Sequence, residues 1–222
     1  MLLVIYGAGG LGREIYELAN IANKKEQKWD RIVFAVDQDY LESAKNKVNE
    51  IEVLAINDCL DKKYGDFEIA LGQGEPTDRI RLIKYLEEKN VKFATIIHPD
   101  TFIPESSHVG KGCIIQNQCF ISCNVRIEDH VYIQPKVNIG HDDVLGKGCI
   151  LSGMANLGGH VEISKFSFIG MSAVLKEDVK IGDNSIIGMA SAVYKNVPDG
   201  MVAIGNPARP ITKNDNGFIF KH

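Results

Sequence analysis

The sequence predicts an α/β unit with a parallel sheet, followed by an all-β coil of short strands. Three observations predict it. An aliphatic residue recurs at every sixth position from Ile97 to Val193 without a break. An apolar run, Leu2 to Tyr6, opens directly into Gly7-Ala8-Gly9-Gly10-Leu11-Gly12. Behind it come a helical pattern and a second apolar run, Arg31 to Val36, ending on Asp37.

The first two runs and the helix between them read as a βαβ start. Ile15, Leu18, Ala19 and Ala22 form the apolar side of a helix that runs to about Lys24. The glycines let the backbone approach a phosphate at the helix N-terminus, and the acid at the tip of the second strand can take ribose hydroxyls. A tight strand-to-helix turn explains the same glycines without a ligand. After Asp37 the pattern gives a loop with Asn46 to Asn49 and a short strand near Val53 to Ile56. A strand Phe67 to Leu71 follows, closed by Gly72-Gln73-Gly74, then a helix Thr77 to Asn90 and a strand Phe93 to Ile97. That helix turns Ile80, Ile83 and Leu86 to one side, and Arg79, Arg81, Glu87 and Glu88 read as a solvated face. The unit, residues 1–96, is half of a doubly wound sheet and fits one mononucleotide better than NAD.

A period of six belongs to neither a helix nor a flat strand; it asks for short strands joined by corners of fixed length, stacked as a solenoid over residues 97–198. Three hexads close an eighteen-residue coil, so residues eighteen apart lie in register. The fourth residue after each aliphatic is small or Val, from Thr101 to Val197, except at Asp143. Such residues face a narrow interior beside the aliphatic one. Glycine follows the aliphatic at Gly110, Gly140, Gly146, Gly158, Gly170, Gly182 and Gly188, which suits a corner that needs unusual dihedrals. The coil stops at Pro198-Asp199-Gly200, and residues 199–222 carry Gly205-Asn206-Pro207-Ala208-Arg209 and a polar tail from Thr212.

Composition narrows the class. The chain has 222 residues, 45% hydrophobic and 24% charged, with a formal charge of -4, which speaks against a nucleic-acid surface. The start shows no basic leader and no 18-residue apolar span, so the expectation is a cytoplasmic protein without a membrane segment. Of five cysteines, Cys113, Cys119 and Cys149 occupy the small inward slot, while Cys59 and Cys123 are isolated. No spacing points to a disulfide or a metal, and none is expected.

The hexads and the Gly-Asn-Pro-Ala-Arg segment just past them resemble the hexapeptide-repeat acyltransferases, whose coil is a left-handed parallel β-helix. The hand is implied by that resemblance alone. Of the six histidines, His141 is placed to react: it sits two residues after Ile139 at a corner, beside Asp142 and Asp143. A neutral imidazole accepts a proton from an attacking amine or hydroxyl, and a neighbouring carboxylate fixes its tautomer. The broken packing rule at Asp143 points to the same corner. Eighteen residues on lies Gly159, whose amide can hold an oxyanion. His160 reads as a neighbour on the same rim, His98 as structural, and His108 and His130 as surface.

The whole arrangement resembles the sugar O-/N-acyltransferase family, which includes sialic acid O-acetyltransferases and N-acetyltransferases of nucleotide-linked 4-amino sugars. The resemblance implies that Gly7, Gly9, Gly10, Leu11, Asp37 and Gly72, the last in the Ala70-Leu71-Gly72 turn, bind the nucleotide-linked sugar. It implies His141 and Asp142 as base and partner, and Gly158, Gly159 and Asn206 for acetyl-CoA, with no metal. Amino-sugar members carry Glu after the catalytic His and often a His after the first glycine pair, where this chain has Asp142 and Leu11. The expected reaction is acetyl-CoA-dependent N-acetylation of a nucleotide-linked amino sugar. O-acetylation of a sialic-acid-like sugar, and a non-catalytic nucleotide-sugar-binding scaffold, stand as alternatives. An NAD oxidoreductase is disfavoured, because the second half of its sheet is missing. A homotrimer is expected, since Ile114, Phe120, Tyr132, Val144, Ile150, Phe168, Val174, Ile186 and Ala192 point outward and would leave a lone prism with a large apolar patch.

Overall fold

A computed structural model gives the architecture for residues 1–41, 47–215 and 219. The expected loop at Asn46 and the end of the polar tail lie partly outside these described residues. In chain order the first unit comprises β1 (Leu2–Tyr6), α1 (Gly10–Glu26), β2 (Arg31–Val36), α2 (Gln38–Leu41), β3 (Lys47–Val48) and β4 (Ile51–Ala55). It continues with α3 (Ile56–Leu60), β5 (Phe67–Leu71), α4 (Pro76–Glu88) and β6 (Lys92–Phe93). The sheet order is β3-β4-β2-β1-β5-β6, parallel apart from β3. β1 and the inner ends of its neighbours are apolar throughout because both faces are covered.

From Ile96 the chain winds as a left-handed parallel β-helix of two-residue strands, each paired with the strand eighteen residues on. The aliphatic series and its small companions form one continuous core. The expected single strand Phe93 to Ile97 is two strands in two sheets: Lys92–Phe93 ends the first sheet, and Ile96–Ile97 begins the coil. After the last coil, Met201–Gly205 and Ala208–Lys213 form a hairpin that caps the open end.

The corner glycines do a different job from the expected one. Positive φ recurs at the third residue after each aliphatic from Val109 to Ile187, as at Asn124, His130, Lys136 and Asp142, and not at the glycine that follows the aliphatic directly. Those glycines are required by the next coil: a Cβ at Gly140 would lie 2.3 Å from the Gly158 carbonyl oxygen, and one at Gly158 would lie 2.6 Å from the Glu177 nitrogen.

The prism has three unlike faces. One carries His108, Arg126, Val144, Glu162 and Lys180 and is mostly charged. A second, the amide face, carries Phe120, Asn138, Asn156, Val174 and Ala192. The third carries Ile114, Tyr132, Ile150 and Phe168, which pack under Ile15, Leu18 and Ala19 of α1. These four are buried by the chain's own first unit, which removes them from the apolar surface expected to drive assembly. Each large apolar side chain buried there contributes about 1.5–3 kcal/mol.

The solvated face expected on α4 is only partly one. Arg79 is 1% exposed and donates to the carbonyls of Leu71, Gln73 and His130, tying the Gly72 turn to the coil. Glu87 accepts from Lys147 and bonds the His130 ring. His130, expected at the surface, is fully buried against Phe93, and burial holds its pKa below the ordinary histidine value despite Glu87.

Candidate functional site

His141 and Asp142 stand on the edge where the amide face turns into the charged face, between the strands Asn138–Ile139 and Val144–Leu145. Asp142 occupies the positive-φ position of the corner, φ 60°, a conformation that Asp tolerates better than most residues. That backbone turns its carboxylate back onto the preceding ring, and Oδ2 lies 2.8 Å from His141 Nδ1. Asn124, one coil away, donates to the other oxygen at 3.0 Å. The His141 pKa is raised, first by this hydrogen bond; the Asp142 pKa is lowered, first by the same bond and then by Asn124. With Nδ1–H donated to Asp142, Nε2 is the free basic atom.

Gly159 lies across the ring. A Cβ there would fall 2.5 Å from His141 Cε1 and 2.6 Å from Nε2, so only glycine leaves room for the imidazole. The Gly159 carbonyl accepts from Asp178, while its N–H donates to no protein acceptor among the described residues. His160 stacks edge-on against His141 with ring centres 5.0 Å apart, and its Nε2 is 3.9 Å from Asp142 Oδ2. Its closeness was legible from the register. Glu177, one coil beyond Gly159, was missed: ligand atoms of His141, His160 and Glu177 all lie within 4.8 Å of one another. A cation held there would occupy the His141 imidazole.

The third carboxylate at this corner points inward. Asp143 is fully buried and accepts from the Gly140 N–H at 2.9 Å and the Val161 N–H at 2.8 Å. Burial pushes its pKa up to about 7. Gly158 is a half-buried corner glycine, and Asn206 is exposed in the turn of the terminal hairpin.

A cleft of about 520 Å³ opens at the carboxyl ends of β1, β2 and β5. Of the residues expected to bind the nucleotide-linked sugar, Gly7, Gly9, Asp37 and Gly72 line it. Gly10 and Leu11 do not: Gly10 begins α1, and Leu11 packs into the apolar layer between α1 and the coil. Tyr6, Gln73 and Arg81 line the cleft unforeseen. Tyr6 donates to Asp37 at 2.6 Å, and burial, followed by Asp37, raises the phenol pKa. Gly12 lets the helix touch the strand end, since a Cβ there would meet the Gly7 carbonyl oxygen at 1.9 Å.

Comparison with known proteins agrees with both halves. The family described as the PglD N-terminal domain matches residues 2–86. GDP-perosamine N-acetyltransferase of Escherichia coli O157:H7 is 33% identical over 219 residues, covering 95% of this chain and 96% of that protein. The acetyltransferase domain of PglB from Neisseria gonorrhoeae FA1090, solved with acetyl coenzyme A, superposes with a TM-score of 0.84 at 25% identity, covering 95% of this chain and 98% of that one. PerB from Caulobacter crescentus, solved with CoA and GDP-perosamine, has a TM-score of 0.83 at 22% identity, covering 96% and 98%. With the half-Rossmann sheet, the left-handed coil and the His-Asp corner on one continuous match, the chain belongs to the sugar O-/N-acyltransferase family.

Proposed function

We propose that the protein transfers the acetyl group of acetyl-CoA to the amino group of a nucleotide-linked amino sugar, acting in the cytoplasm as a homotrimer. The observation that carries this reading is the His141 ring, polarised by Asp142 and lying over the bare Cα of Gly159. The sugar amine attacks the thioester carbonyl carbon while Nε2 of His141 takes its proton. The developing oxyanion is met by the Gly159 N–H. Collapse of the tetrahedral adduct breaks the carbon–sulfur bond, and the departing thiolate takes the proton back from the imidazolium, giving CoA and the acetamido sugar. Asp142 stabilises the imidazolium between these steps. Gly158 and Asn206 are assigned to acetyl-CoA. Gly7, Gly9, Asp37 and Gly72, with Tyr6, Gln73 and Arg81, are assigned to the nucleotide-linked sugar. The name of the Escherichia coli relative supports an amine acceptor over a hydroxyl.

The trimer rests on topology. The first unit covers the Ile114–Phe168 face, and His141 stands on the edge opposite that face. A sugar held in the chain's own cleft is therefore on the far side of its own base. The amide face, with Phe120 60% and Val174 49% exposed, supplies an apolar surface for the neighbour whose His141 receives the sugar.

Release of free CoA thiol from acetyl-CoA, measured over a panel of nucleotide-linked amino sugars and sialic acids, tests the reaction. Turnover with an amino sugar is expected; turnover with sialic acids alone would replace this reading by O-acetylation. Mixing His141→Ala chains with Asp37→Ala chains tests the shared site. Rescued turnover is expected, and none in a verified mixed oligomer would overturn it.

A further inference from the structure

The coil's hydrogen-bond ladder has a fixed pattern. From Gly110 to Lys176 the residue after each aliphatic donates its N–H to the carbonyl of the aliphatic one coil on, as Ser122 does to Ile139, Gln134 to Leu151, Gly146 to Ile163 and Gly158 to Leu175. Gly140 breaks it. Its N–H makes no bond to Leu157 and goes to Asp143 Oδ2 instead. Strand pairing says the same: Asn138 pairs with Asn156, but Ile139 does not pair with Leu157, whereas the other strand pairs between successive coils hold both residues in register. The open rung lies between the coil that carries His141 and the coil that carries Gly159.

The other residues in the Asp143 slot from Cys113 to Val179 leave the ladder intact, because they are apolar or are hydrogen-bond donors. Ser107 donates to the Ser122 carbonyl, Ser167 to the Gly182 carbonyl, and each also accepts the N–H eighteen residues on. Asp143 keeps the second bond, accepting from Val161, but its remaining oxygen captures the Gly140 N–H. With each of its oxygens accepting an N–H, Asp143 makes no bond to the carbonyl that a serine would use. The residue after Gly140 is His141, and the residue before Val161 is His160, so one buried acid grips both histidine-bearing corners.

We propose that Asp143 is a positioning residue for the base: by drawing the Gly140 N–H into the prism it opens one rung of the ladder and tilts the corner so that the His141 ring lies across Gly159. This rests on the reading of His141 as the base. A closed rung would restore ordinary coil spacing of about 4.8 Å at the place where the ring has to fit between corners. The arrangement trades a buried carboxyl, its pKa pushed up to about 7 by burial, for the placement of the ring.

The test is Asp143→Ser, with Asp143→Cys and Asp143→Val as companions that use side chains found in this slot elsewhere. A crystal structure of a folded variant is expected to show the Gly140 N–H bonded to the Leu157 carbonyl, with the His141 ring displaced from Gly159. Its kcat for acetyl transfer, with an amino-sugar acceptor that the wild-type turns over, is expected to fall about 10- to 100-fold, with the KM for acetyl-CoA and acceptor within about twofold. The melting temperature is expected to hold or rise. A variant with the rung closed and the ring unmoved, or with unchanged kcat, would overturn the proposal. Failure of all three variants to fold would overturn it too, leaving Asp143 a purely structural acid. His141→Ala run alongside separates the two ideas: full activity there sinks the base, whereas the ring's position in the Asp143 variants is read without turnover.

Discussion

The His141 imidazole lies where a Cβ of residue 159 would be, 2.5 Å from Cε1, so ring and glycine define each other's place. Gly159 has an ordinary φ, and alanine meets no backbone penalty there. Gly159→Ala is therefore expected to fold and melt like the wild-type while kcat drops about 100-fold, because the methyl pushes the ring off line. Steady-state kinetics beside a thermal melt checks it. Unchanged kcat would mean that the ring does not work from this position.

Asp142 is expected to set the pH response of the proposed base. Its bond raises the His141 pKa, so the rising limb of kcat/KM is expected above the ordinary histidine value of about 6.5. Asp142→Asn is expected to move that limb to lower pH and to reduce kcat at its plateau. A pH–rate profile of the two enzymes decides, and an unmoved limb would assign it to another group.

Asp143 links stability to pH with a definite sign. Burial raises its carboxyl to about 7 in the folded chain, against about 3.9 unfolded, so folding takes up a proton between those values. Stability from this group is fully present below about pH 4 and is lost as pH rises through about 7. His141 and Asp142 are the ionisable neighbours that act on it. Asp143→Ser is expected to gain on the wild-type in thermal stability between pH 5 and pH 8, and a gap that shrinks over that range would contradict this.

The sequence carried the coil because a six-residue period is written again at every strand, each aliphatic facing the same core. It carried the His141 corner because Asp143 stands alone as a charge in a slot otherwise small or Val. Long-range contacts were less legible. His130 has the same corner position as Asn124 and Lys136, and only the arrival of Phe93 and Glu87 from the first unit buries it. Arg79 has the helical spacing of a surface residue, and its three carbonyl partners come from the Gly72 turn and the coil. Leu11 sits inside the glycine motif yet faces the coil, because α1 is clamped between the sheet and the prism. The glycines that follow the aliphatic residues were misassigned for a similar reason: the clash that forbids a side chain comes from a residue sixteen or more positions away.

Arg79 makes a separate prediction about the joint between the units. Arg79→Ala strips donors from the Leu71, Gln73 and His130 carbonyls in a buried site and is expected to cost at least about 3 kcal/mol. Arg79→Lys is expected to recover little, since one ammonium cannot span three carbonyls in that geometry. Chemical denaturation of both variants checks this, and a loss under about 1 kcal/mol would show that the joint holds without the guanidinium.

The central claim is that His141 takes the proton from the sugar amine. Acetyl transfer by His141→Ala, compared with the wild-type near neutral pH on the same acceptor, tests it most directly. The side chain is exposed and outside the aliphatic core, so the variant is expected to fold normally. Turnover is expected to fall about 100- to 10,000-fold, the range for loss of a general base. A folded variant that retained turnover within a few-fold of the wild-type would contradict the claim.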